Sequence, residues 1–214
     1  MMPRRDAMKE ENMEESMHNA MGKILKIYGN SGRGPRRKGN AIDIEVKKII
    51  EAFRVLLQKS RRSGLEVKAV FGSGNWKRMP GIVAFDRENG DSPRKGCLRG
   101  FGFREDLTGV YLLISHGIND VVAKKGNAAE KELKKHADRM RKRFRWDSLS
   151  KRGFHINGEV DLKPSPRRNT EAKRIAAGVV VHKLYERGCM PTNDEIDSDL
   201  VAILDITKRG TKQN

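Results

Sequence analysis

The chain has 214 residues, and its 45 Lys and Arg against 28 Asp and Glu give a formal net charge of +17. That length supports one sizeable core, or one domain with an appended arm. The charge excess points to a polyanionic partner, because basic side chains release condensed counterions from phosphate backbones. No apolar run approaches the ~20 residues needed to cross a bilayer, and the N-terminus MMPRRDAMKEENMEESM lacks the apolar core of a signal peptide. The expected setting is therefore cytoplasmic, with no membrane partner. Cys97 and Cys189 stand far apart with no second Cys near either, which argues for ordinary packed thiols over a disulfide scaffold or zinc knuckle.

In chain order, Met13, Met17, Met21, Ile24, Leu25 and Tyr28 share one stripe, so residues ~10 to 28 are expected to form an amphipathic helix. GNSGRGPRRKGN, residues 29 to 40, ends it as a flexible loop that carries Arg33, Arg36, Arg37 and Lys38. A phosphate-contacting arm and a solvated linker are equally good readings of that loop. No Gly-Lys-Ser/Thr follows at the spacing of a nucleotide-binding phosphate loop.

Val46, Ile49, Ile50, Phe53, Leu56 and Leu57 place a second helix at ~43 to 60, closed by Gly64. The period then changes. LEVKAVF (65 to 71), GIVAF (81 to 85), CLRGFGF (97 to 103) and GVYLLIS (109 to 115) are short β-prone runs between turn-rich clusters. They predict a compact, mostly antiparallel sheet joined by hairpins, and hence an α+β fold with helices from both ends of the chain packed on it.

Helical spacing returns after Asn119 with Val122, Ala129, Leu133, Ala137, Met140 and Phe144. The other faces of that helix carry Lys124, Lys125, Lys131, Lys134, Lys135, Arg139, Arg141, Lys142 and Arg143, which reads either as a solvated face or as a nucleic-acid contact. Two further helices are expected at ~169 to 187 and ~192 to 207. The second opens with the capping-box spacing of Thr192 and Glu195 after Pro191.

Catalytic signatures are weak. Asp161, Glu171 and Lys173 fit the spacing of a metal-dependent nuclease, in which two carboxylates hold a divalent cation and the lysine stabilises the reacting phosphate. The same Glu-x-Lys pair recurs at Glu45 with Lys47 and at Glu66 with Lys68, and Glu171 opens a helix where such a site wants a strand. His18, His116, His136, His155 and His182 make no paired metal spacing, and His116, just after the fourth strand, is the one histidine worth following. No catalytic residue, metal or cofactor is expected, and an RNA-binding protein is a further alternative that charge leaves open.

One stretch is distinctive. VKAVFGSGNWKRMPGIVAFD, followed by a basic loop and GFREDLTGVYLLISHGIND, resembles the DNA-binding domain at the N-terminus of the McrB subunit of modification-dependent (type IV) restriction systems. The matching positions are Gly72, Gly74, Asn75 and Trp76 in the turn, then Pro80, Gly96, Glu105 and Asp106, and Tyr111 through Gly117. INGEVDL, EAKRIAAGVVVHKLYERG and MPTNDEIDSDLVAIL extend the likeness in order over residues ~43 to 207. It implies a domain at 43–207, preceded by an N-terminal helix and basic arm (1–42) and followed by a short tail (208–214).

The resemblance further implies binding of double-stranded DNA and recognition of a modified, methylcytosine-like base extruded into a pocket. Any cleavage would then fall to a partner, a separately encoded GTPase motor or nuclease subunit. The expected DNA contacts are Ser73, Asn75, Trp76, Lys77 and Arg78, supported by Arg99, Arg104 and the cluster Arg36, Arg37 and Lys38. Gly81, Leu98, Phe101 and Gly102 are the expected base-pocket positions. Gly81 stands where family members usually carry Trp after the Pro, so one aromatic wall is thinned. Taken without the resemblance, FGSGNW is a strand-turn-strand corner in which Trp76 plugs the core.

Overall fold

The computed structural model describes residues 16–31, 39–62, 64–72, 75–156 and 159–209. Its elements are α1 (Ser16–Ser31), α2 (Ala41–Lys59), β1 (Leu65–Val70), β2 (Gly81–Asp86), β3 (Cys97–Phe103), β4 (Gly109–His116), α3 (Asn119–Lys125), α4 (Ala129–Arg143), α5 (Asp147–Ser150), α6 (Asn169–Gly178), β5 (Val179–Glu186) and α7 (Asn193–Arg209). Five strands form one antiparallel sheet in the order β1-β2-β3-β4-β5, so the fold is α+β.

Both faces of the sheet are covered, which is why β2 and β4 are apolar at nearly every position and do not alternate. On the inner face Ile82, Ala84, Phe101, Phe103, Val110, Leu112 and Ile114 meet α1, α2 and α7 in the main core. On the outer face Tyr111 and Leu113 pack with Met79, Val160, Leu162, Ala172 and Val179. Helix α1 is integral to the main core: Met17, Met21, Ile24, Leu25 and Tyr28 are all buried there, beside Ile49, Phe53 and Leu57 of α2. Its start is tied to α7, with the His18 amide donating to Asn193 Oδ1 at 2.9 Å.

Three sequence expectations are corrected. The helix expected at ~169 to 187 stops at Gly178, and Val179–Glu186 is a fifth strand paired with β4. The three valines of VVVH are β-branched and the run is buried, and an open edge of β4 offers it a hydrogen-bonding partner that local periodicity does not register. The basic helix after Asn119 is broken by a turn of 3-10 helix at Gly126–Ala128, where Gly126 has φ +52°. Cys97 packs against the main core, but Cys189 is exposed and is not a packed thiol. The capping box forms as expected, with the Thr192 amide donating to Glu195 at 2.8 Å and the Glu195 amide to Thr192 Oγ1 at 3.4 Å.

Candidate nucleic-acid interface and the cavity behind the sheet

The β1–β2 connection is pinned from below. Tyr28 of α1 meets Phe71 and Trp76 edge-on, with ring centroids at 5.6 and 5.2 Å, and its hydroxyl donates to the Lys77 carbonyl. The Lys77 amide closes the loop on Phe71 O at 2.9 Å. Gly72 has φ +96°, and a Cβ there would lie 2.0 Å from Asn75 O, so glycine is obligatory. This anchoring leaves Asn75 and Arg78 exposed and Lys77 half-buried at the surface.

Not every expected contact residue is on that surface. Trp76 is buried, its ring packed on Tyr28, so it anchors the loop from inside. Arg104 is also buried: its Nε donates to Asp161 O at 2.9 Å, and Nη2 to the Tyr111 hydroxyl at 3.1 Å. It staples the β3–β4 hairpin to the segment before α6, with its guanidinium taken up by these internal acceptors. Ser73, Arg36, Arg37 and Lys38 lie outside the described residues.

The expected pocket positions are split by the sheet. Gly81 pairs with Gly102 across β2 and β3, and Gly102 pairs with Tyr111 of β4, which puts the three on the outer face in one row. Leu98 shares that face, packed with Val83 and Phe85. Phe101 points the other way, fully buried against Phe53 with centroids 6.2 Å apart, and walls no outer-face pocket. A Cβ at Gly81 would lie 2.7 Å from Phe101 O, whereas at Gly102 it would meet only Leu113 Cδ2, at 3.4 Å.

The two nuclease-type carboxylates are each engaged by a nearby cation. Asp161 is paired with Lys163 at 2.5 Å, which holds its carboxyl below the usual range, and Glu171 is paired with Arg168 at 3.5 Å. Among the described residues no three His, Cys, Asp or Glu side chains gather as a metal site. Arg141, one of the cations expected on an open helix face, instead clamps β5: Nε donates to Val180 O at 3.0 Å and Nη2 to Val179 O at 2.5 Å.

At the opposite end of the sheet is a cavity of about 900 Å³, bounded by the start of β3, the ends of β2 and β4, the α2–β1 turn and the last turns of α4. Arg99 lines it. Together with Cys97, Phe101 and Phe103 it occupies the inner face of β3, so a cation sits in a row otherwise given to the core. His116 and His136 also line it, 3.2 Å apart, in a chain from Gly117 O through both rings to Glu132. Sequence reasoning named Arg99, His116 and, on the basic helix, Arg139 without bringing them together, gave His136 no role and missed Arg62, which reaches the cavity from the α2–β1 turn. A charged residue on a core-facing strand row was the one signal available.

Among the described residues no helix is long and apolar enough to cross a membrane. Searches among curated proteins and among solved structures returned no match. A family model described as MrcB-like, N-terminal domain, matches residues 12–210, nearly the whole chain and including α1. That family's domain serves DNA binding in type IV restriction and is not itself catalytic. The ordered turn, hairpin and helix motifs of residues ~43 to 207 and this match over 12–210 agree, and the chain belongs to the McrB-type N-terminal domain family.

Proposed function

We propose that this protein binds double-stranded DNA through the β1–β2 connection and reads a modified cytosine on the outer face of the sheet, delivering that recognition to the motor or nuclease of a restriction system. The observation that carries the DNA contact is the pinned loop, which holds Asn75, Lys77 and Arg78 outward on a rigid aromatic base of Tyr28, Phe71 and Trp76. A preorganised cationic tip loses little conformational freedom when it meets phosphates, and its contribution is independent of sequence. The Gly81–Gly102 pair beside Tyr111 is the proposed floor for the extruded base. With glycine in place of the usual Trp after Pro80, no aromatic side chain from this position takes part in that floor. Unstacking costs a few kcal/mol, which phosphate contacts and close-packed pocket walls offset.

Fluorescence anisotropy on plain, methylated and hydroxymethylated duplexes over a salt series tests both parts. Binding should weaken steeply with salt and be tighter for a modified duplex. Lack of binding to every duplex at low salt would sink the proposal, and equal affinity for plain and modified duplexes would sink its modified-base half. Lys77→Ala with Arg78→Ala should weaken binding to all duplexes alike and flatten the slope of log affinity against log salt by about 2.

A further inference from the structure

Arg99 is 5% exposed, and its Nε and Nη1 are buried without any hydrogen-bond partner. A guanidinium stripped of water and given no acceptor is costly, and folded proteins rarely tolerate one unless something outside the chain completes it. A second guanidinium lies close by. Arg62, 8% exposed, is held by Leu204 O and Asp205 through its Nη atoms, while its Nε is also unpartnered. Burial, and then the charge of Arg99, hold the Arg62 guanidinium below the usual arginine range, as expected for two neighbouring cations that line one cavity. Arg61, Arg139 and Arg143 add to this excess around the walls, against the carboxylates of Asp86 and Asp91.

The remaining walls set the size and character of the ligand. Leu65, Met140 and Phe144 add apolar lining to this cationic wall. A volume of about 900 Å³ is well beyond that of a bare anion and lies in the range of nucleotide-sized and drug-sized ligands. Asp91 supplies acceptors for an amino or hydroxyl group on such a ligand. We infer that this cavity is a binding site for a phosphate-bearing ligand of mononucleotide size, with Arg99 and Arg62 on the phosphate and Phe144 and Met140 against its flat body.

The site is distinct from the proposed DNA-contacting loop. The cavity takes Asp86 at the end of β2, whereas the loop enters β2 at Gly81. Five residue steps of extended chain separate them by roughly 17 Å. The phosphate could come from a free mononucleotide or from the 5′-phosphorylated end of a DNA strand, and both present the same terminal group.

Isothermal titration calorimetry with the full chain distinguishes these. The probes are inorganic phosphate, purine and pyrimidine nucleoside monophosphates, the matching nucleosides, and one short oligonucleotide with either a 5′-phosphate or a 5′-hydroxyl. Phosphate-bearing probes should bind and nucleosides should not. Arg99→Met should weaken that binding roughly tenfold to a hundredfold, as expected for losing hydrogen bonds to a charged group. Its melting temperature without ligand should hold or rise, because an unpaired buried charge is replaced by a similar apolar volume. Arg139→Ala, on an exposed wall residue, provides a second reading and should weaken the same probes. Lys77→Ala with Arg78→Ala should leave them unchanged, which separates this site from general attraction to a basic surface.

Tighter binding of the nucleotides than of either oligonucleotide makes a free nucleotide the source. Selective binding of the 5′-phosphorylated oligonucleotide makes it a strand end. Absence of binding by every phosphate-bearing probe, equal binding by nucleosides, or unchanged binding in both Arg99→Met and Arg139→Ala would overturn the inference. None of those results bears on duplex affinity through the β1–β2 loop, so either proposal can fail alone.

Discussion

The polar side chains buried here divide into those whose partners are complete and those whose partners are not. Asp199 is 4% exposed and accepts from the Tyr185 hydroxyl at 2.8 Å and from Lys183 Nζ at 2.7 Å, with Arg152 at 3.8 Å. Burial and the adjacent Asp199 push the Tyr185 phenol up, so it stays a donor at any ordinary pH. Tyr185→Phe removes one donor from a buried carboxylate and should cost about 1–3 kcal/mol, read by urea denaturation.

The His116–His136 chain is incomplete in a different sense. Both of its ends face acceptors, Gly117 O and Glu132, so three N–H groups are needed to satisfy three contacts, and two neutral imidazoles supply only two. Burial, then His116 and Arg139, hold His136 below the usual histidine range, with Glu132 opposing them. The folded protein therefore takes up its proton at lower pH than the unfolded chain, whose histidine titrates near ~6.5. Below that value the unfolded state binds more protons, so stability falls as pH falls. Melting temperature should drop between about pH 7 and 5, and His136→Gln should flatten that drop.

At the scale of elements, the β2–β3 pair is held closer than side chains allow. Cβ atoms at Gly81 and Gly100 would lie 2.7 and 2.2 Å from carbonyl oxygens of the neighbouring strand, and Gly100 has φ +145°. Gly81→Ala should therefore destabilise the protein by about 1–3 kcal/mol through overpacking, measured by thermal melting. Restoring the Trp usual in the family would meet the same barrier. Gly81 is thus both a departure from the family pattern and a requirement of this particular sheet. Strands β1 to β4 were legible because turn residues punctuate short β-prone runs, and α2 because its apolar stripe is long. Strand β5 was not, since VVVHKLYE follows a helix without a break and becomes a strand only when β4 offers its edge. Arg141 was equally unreadable, because its acceptors are carbonyls of that unforeseen strand.

Over the whole molecule, the main core runs from α1 through the inner face of the sheet to α7, and the family match spans the same range. The division expected between residues 42 and 43 cuts across this packing. A fragment beginning at residue 43 would expose the faces that Met17, Met21, Ile24, Leu25 and Tyr28 bury, and should melt without a cooperative transition by circular dichroism where the full chain shows one.

Charge, turn chemistry and helical periodicity are local or additive properties, and from them the sequence alone determined a basic α+β protein, four of its strands and its capping box, while the resemblance of its ordered motifs pointed to its family. Burial and pairing are not local. Only the tertiary structure decided that Trp76 and Arg104 turn inward, that Phe101 lies on the face opposite Gly81 and Gly102, and that Arg99 shares a cavity with Arg62 and two histidines. Each depends on which distant segment covers a residue, and sequence spacing carries no record of that.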